Sequence, residues 1–204
     1  MSGIRVHKLT CNYLINPLGI DITNPFFSWQ MKSNEKGAAQ TAYQIQVAGN
    51  SEFSNPLWET GWVVDEKSVH VQYSGQSLES MTVYYWRVRV KDQNGAVSEW
   101  SEVAHFETGL ELDDWQAKFI EPEHKVNPKA FKPAPFLRSC FESNKVVDQA
   151  RLYITSHGLY EAYLNGQRVG DWLFTPGNTD YNKRLQYQVY DVSGLIRTGE
   201  NCMG

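Results

Sequence analysis

Two carboxylate pairs, Asp113-Asp114 and Glu121/Glu123, come closest in this chain to the residues that general acid–base chemistry needs. That chemistry requires one carboxyl kept protonated by its surroundings and a second left ionised. Both pairs lie in or beside a proline-rich stretch, GLELDDWQAKFIEPEHKVNPKAFKPAP (109–135), where burial in a cleft is not expected, and no residue is assigned a catalytic role. The five histidines, His7, His70, His105, His124 and His157, are scattered, and no serine stands in a GxSxG setting. Glu121, Glu123 and His124 crowd together with the atom types of a metal site, but nothing else supplies matching ligands, so no metal ligand is assigned. Cys11, Cys140 and Cys202 are an odd number at remote spacings, which suits neither a disulfide framework nor paired zinc ligands. They are expected to be free and mostly buried thiols.

Charge narrows the partners. A net charge of −4, with Lys and Arg interspersed among Asp and Glu, leaves no basic stripe for nucleic acid and no polybasic membrane binder. The N-terminal MSGIRVHKLT lacks the roughly 7 to 15 apolar residues of a signal-peptide core, and no run approaches the ~20 of a membrane span. The expectation is a cytoplasmic protein, or an extracellular one if a leader has been removed.

The elements that must position any site read as strands. Aromatics are plentiful, with 7 Trp, 11 Tyr and 9 Phe, and apolar residues recur at period two rather than at helical spacing. In TVYYWRVRV, Tyr84, Trp86, Val88 and Val90 share one face and Tyr85, Arg87, Arg89 and Lys91 the other. AYQIQVAG alternates likewise, PFFSW ends an earlier strand at Trp29, and Asn94-Gly95 signals a hairpin before EVAHFETG. Arg87, Arg89 and Lys91 read as a solvated face, with anion binding the alternative. Trp58 and Trp62 in WETGWV read as core or edge packing, with sugar stacking the alternative.

At 204 residues the chain is suited to two modules, all-β, with a boundary near Gly109 to Asp113: 1–109 and 110–204. In the second, WQAKFI opens as a strand, a proline-rich loop leads to FLRSCFE, and Ala150, Leu152 and Ile154 alternate with Arg151, Tyr153 and Thr155. Tyr160, Ala162 and Leu164 continue that pattern, and Asn165-Gly166 predicts a two-residue type I′ turn. RLQYQVYDVSGLI returns as a strand with Leu185, Tyr187 and Val189 on the buried face.

The stretch LESMTVYYWRVRVKDQNGAVSEWSEVAHFETG resembles the last two strands of a fibronectin type III domain, which implies a tyrosine corner at Tyr84. In chain order, NYLINPLGIDITNPFFSW, APFLRSCFE, ARLYITSHGLYEAYLNGQRVGD, FTPGNTDYNKRLQYQVYDVSGLI and the closing GEN resemble the N-terminal region of bacterial α-L-rhamnosidases of glycoside hydrolase family 78. The resemblance implies a fibronectin-like sandwich followed by a jelly-roll sandwich that runs on past GEN, and then a catalytic (α/α)6 barrel. This chain is therefore expected to stop inside the second sandwich, as a piece of a larger hydrolase and inactive by itself. The resemblance implies inverting hydrolysis of terminal α-L-rhamnosyl groups, with an acid and a base set roughly 6.5–9.5 Å apart in the barrel.

Some relatives use the second module as a calcium-dependent rhamnose-binding unit. On that resemblance the candidate sugar or calcium ligands are Asn178, Asp180, Tyr181 and Asn182 in PGNTDYN, with Glu161 and Trp172 nearby in sequence. Binding members tend to carry a Trp where Asn178 stands and acidic or amide groups near Gly158-Leu159. These two departures keep a purely structural loop open as the alternative. The implied partners are the rest of the hydrolase chain and rhamnose-containing carbohydrate. An open sheet edge would also have to pair with a second copy or be shielded by the linker. A stand-alone adhesion protein is the remaining alternative.

Overall fold

Among the described residues of the computed structural model, period-two patterning produces thirteen strands, with two single-turn 3-10 helices at Leu112–Asp114 and Ser193–Leu195. The structure describes residues 3–21, 23–123, 129–130 and 133–204. The chain divides into two units, Met1–Asp114 and Trp115–Gly204. Glu121 and Glu123 are exposed, and His124 lies outside the described residues.

The first unit is a two-sheet sandwich. One sheet orders β1 (Ile4–Cys11), β2 (Phe26–Ser33) and β5 (Val71–Gln72). The other orders β4 (Trp58–Glu59), β3 (Gln40–Ala48), β6 (Val83–Asp92) and β7 (Ala104–Glu107). All these pairs are antiparallel. Strand β6 alternates as its sequence predicts, with Tyr84, Trp86, Val88 and Val90 buried. They meet Phe27, Trp29, Ile45, Val47 and Phe106 in one core, as the inner faces of an aligned sandwich must. Trp29 lies within β2 rather than at its end, and its indole donates to Gln40 Oε1 at 3.0 Å. The Tyr84 hydroxyl accepts from the Glu79 amide at 2.8 Å, which is the tyrosine-corner bond. The Asn94-Gly95 signal marks a three-residue loop closed by Gly95 N to Asp92 O, with Gly95 alone at positive φ, so it is not the two-residue turn.

The outer face of β6 differs from the solvated reading. Arg87 lies over Phe53 at 4.1 Å and Trp100 at 4.5 Å, Arg89 over Trp100 at 4.5 Å and Trp62 at 5.2 Å, and Lys91 over Trp62 at 4.4 Å. Gln46 and Gln44 on β3 accept from the Nε of Arg87 (2.8 Å) and Arg89 (2.9 Å), fixing each guanidinium plane. Alternating cations and rings cover one another, which holds these side chains half-buried.

The second unit has a four-stranded sheet, β11 (Gln167–Arg168), β10 (Tyr163–Leu164), β13 (Gly199–Met203) and β8 (Ser139–Ser143). A two-stranded sheet pairs β12 (Gln188–Asp191) with β9 (Arg151–Ile154). Ala162, Leu164, Val169 and Val192 form its core, with Leu152, Ile154, Tyr160 and Tyr190 packed against them. Asn165 and Gly166 both take positive φ, 53° and 80°, as a type I′ turn demands.

Three expectations are corrected here. WQAKFI forms no strand; instead Trp115 sets its ring against Tyr187 at 5.9 Å. The inward face of β12 carries Gln188 and Tyr190, continued by buried Val192, while Leu185, Tyr187 and Val189 are half-exposed on the other parity. Gln188 can point inward because its amide is satisfied: Oε1 accepts from the Tyr160 hydroxyl at 2.9 Å and Nε2 donates to Pro176 O at 3.2 Å. Finally, Cys11 is free and buried, but Cys140 and Cys202 form a disulfide across β8 and β13.

Candidate functional site

The loops between β9 and β12 carry every residue expected to bind sugar or calcium. The turn at 180–184 is closed by the Asp180 carbonyl, which accepts from Lys183 N at 2.8 Å and Arg184 N at 2.9 Å. The Asp180 carboxylate accepts from Asn182 N at 3.2 Å and pairs with Lys183 Nζ at 3.4 Å. Asn178 and Asn182 are exposed. The Tyr181 hydroxyl accepts from Gly158 N at 3.0 Å, which draws its ring onto His157, centroids 5.0 Å apart and planes 8° apart. Phe119 lies on His157 at 4.5 Å. Tyr181 is thus the inner layer of a three-ring stack, with exposed His157 and Phe119 outside it.

Glu161 and Trp172 belong to a second cluster centred on Arg168. One Arg168 nitrogen donates to the Trp172 carbonyl at 2.9 Å and lies 3.6 Å from the Glu161 carboxylate, whose other oxygen accepts from the Tyr163 hydroxyl at 3.1 Å. Trp172 is 64% exposed and is followed by Leu173 and Phe174, also exposed. Sequence reasoning missed His157, Phe119 and Arg168. No local signal marked the first two: Phe119 and His157 are far apart in the chain and meet only in the folded unit.

Burial and hydrogen bonding near the loops move two groups in opposite senses. Burial, and then the Tyr190 hydroxyl 3.3 Å away, push the Tyr160 phenol upward, so it stays a donor to Gln188. Asp191 is held below its ordinary value chiefly by the Ser193 hydroxyl at 2.6 Å, the opposite sense from a general acid. Among the described residues the one convergence of three possible metal-ligating side chains is Cys140, Glu200 and Cys202, and two of these are bonded to each other. A shallow depression of about 450 Å³ borders that disulfide, lined by Arg138, Tyr163, Asn165, Arg197, Cys202 and Met203 among others.

Two consecutive all-β units, with the candidate residues of the second on surface loops, define the class as a tandem β-module region. Residues 6–111 match the family model for the Rha78A-like N-terminal immunoglobulin domain, and residues 145–204 match the alpha-L-rhamnosidase N-terminal domain. The chain belongs to the Rha78A-like N-terminal immunoglobulin domain family, and its second unit is similar to the alpha-L-rhamnosidase N-terminal domain. An alpha-L-rhamnosidase of Streptomyces avermitilis is 43% identical over 225 residues, covering 100% of this chain and 22% of that protein. One from Alteromonas sp. (strain LOR) is 39% identical over 201 residues, covering 93% of this chain and 22% of that one. The solved alpha-L-rhamnosidase of Dictyoglumus thermophilum superposes with a TM-score of 0.87 at 41% identity, over 98% of this chain and 24% of that one. The chain thus spans under a quarter of the length of these relatives, where this region is one part of a larger chain.

Proposed function

We propose that this chain is the scaffold portion of an inverting α-L-rhamnosidase that removes terminal non-reducing α-L-rhamnose, and that the acid and base lie outside it. The observation that carries this reading is the coverage: 93% or more of this chain aligns with rhamnosidases of which it makes up 22–24%. Its physical support is that the two carboxylates among the candidate ligands are engaged in surface pairs, Asp180 with Lys183 and Glu161 with Arg168. The scaffold supplies buried apolar cores and a surface on which the remaining hydrolase chain folds.

A second reading, carbohydrate binding by the second unit, is favoured by the Phe119–His157–Tyr181 stack beside Asp180. Its outer rings offer a sugar an apolar face, and Asp180, Asn182 and Asn178 offer oxygen atoms for hydroxyls or calcium. One experiment separates the two. Rhamnoside hydrolysis is assayed for the full-length protein and for residues 1–204, and thermal unfolding of both is followed with L-rhamnose and calcium. The scaffold reading expects hydrolysis in the full-length protein only, and no shift in the melting temperature of 1–204. Hydrolysis by 1–204 would overturn it, and a chelator-sensitive upward shift would establish the binding module.

A further inference from the structure

Cys140 on β8 stands directly opposite Cys202 on β13, and the disulfide joins them across a sequence separation of 62. Strand β8 is the outer strand of its sheet; Cys140 is exposed and Cys202 half-exposed, and neither belongs to the buried core of the unit. The sulfurs are chemically unequal. A guanidinium nitrogen of Arg138 donates to Cys202 Sγ at 3.2 Å. The Glu200 carboxylate lies within 4.8 Å of both sulfurs and therefore acts on both, whereas the Arg138 bond reaches only one. A cation against one sulfur favours negative charge on that sulfur when the bond opens.

We propose that the Cys140–Cys202 disulfide is a thiol–disulfide exchange site for a dithiol reductant, with Cys140 the sulfur attacked and Cys202 the leaving group stabilised by Arg138. A thiolate of the reductant bonds to Cys140 Sγ as the Cys140–Cys202 bond breaks, and the electron pair departs on Cys202 Sγ. The second thiol of the reductant gives up its proton and attacks its own sulfur in the mixed disulfide. The reductant leaves as a disulfide and Cys140 as a thiolate. Two electrons have passed to the pair, which takes up protons from solvent. Reduction leaves β8 held to β13 by its ladder, Gly199↔Ser143 through Met203↔Ser139, without the covalent tie. In a reducing cytosol the pair would stand open, and in an oxidising compartment closed.

Cys11 is an internal control, because burial seals its thiol and pushes it up to about 12. The full chain, folded, is treated with dithiothreitol, quenched with iodoacetamide and mapped by peptide. A parallel sample receives glutathione alone, to trap the first adduct. The proposal expects Cys140 and Cys202 to be labelled without denaturant while Cys11 is not. It also expects glutathione to appear on Cys140, and oxidised glutathione to restore the disulfide. Arg138→Gln should slow opening about threefold through a poorer leaving group, while Arg138→Lys keeps the rate near that of the wild type. Sulfurs that react only when the protein unfolds would overturn the proposal, as would glutathione trapped mainly on Cys202. So would a rate unchanged in Arg138→Gln, or the absence of a disulfide in oxidised glutathione.

Discussion

Asp191 closes the end of β12 by accepting from both the Ser193 hydroxyl (2.6 Å) and the Ser193 amide (2.9 Å), and it pairs with Arg151 at 3.1 Å. These partners together outweigh burial and hold its carboxylate below the ordinary 3.8. A group lowered in the folded state adds stability that is complete above its unfolded value and is lost as pH falls through the folded one. The loss of stability as pH falls below the ordinary carboxylate value of 3.8 should therefore be shallower in Asp191→Asn than in the wild type. The variant should be less stable at neutral pH, and the difference should shrink as the pH falls through the lowered folded value of Asp191, read by circular dichroism. Parallel curves would show that Asp191 contributes nothing. Asn165 shows what one residue in the sequence does and does not reveal. Its place before Gly166 predicts the turn, and φ of 53° agrees. Nothing local predicts that its side chain also accepts from Cys202 N at 2.9 Å and donates to Leu195 O and Asn201 Oδ1, both at 2.8 Å. Those bonds help satisfy fully buried Asn201 and tie the hairpin to β13.

Among the elements, β6 is covered in two different ways. Strand β7 pairs with its first half, from Val83 to Trp86. Beyond that, Ser101 and Ser98 bring their hydroxyls to Val88 N (3.1 Å) and Val90 N (3.0 Å), which satisfies an edge that would otherwise be open. The same segment delivers Trp100 between Arg87 and Arg89. Trp100→Ala removes two cation–π contacts and should cost about 1–2 kcal/mol, measured by denaturant unfolding of the first unit. A loss within a few tenths would mean the interleaving carries no weight. Alternation in TVYYWRVRV was enough to divide β6 into faces, because its inward residues are all large and apolar. The same reasoning gave β12 the wrong parity. There an inward glutamine is made tolerable by Tyr160 and Pro176, which are 28 and 12 residues away, and no local pattern encodes those partners.

On the scale of the molecule, each unit has its own buried cluster, one around Trp86 and one around Leu164. Trp86→Ala should cost roughly 3–5 kcal/mol by opening a cavity, and Leu164→Asp should be comparably severe through an unpaired buried charge. Hydrogen exchange on the full chain should show Trp86→Ala stripping protection from β3 and β6 while β9 and β12 keep theirs, and Leu164→Asp should do the converse. Loss in both units from either change would mean that the two cores melt as one. What the sequence by itself determined was the all-β class, the two modules, most strands and turns, and a family resemblance. Each of these rests on residues adjacent in the chain, where period two and positive-φ turn pairs have direct local causes. Only tertiary structure decided the rest: that cations on β6 interleave with rings, that Tyr181 stacks on His157, and that Cys140 and Cys202 meet. Such contacts depend on strand register and on bonds between distant segments, and a chain with three cysteines at remote spacings carries no local mark of which two will be neighbours.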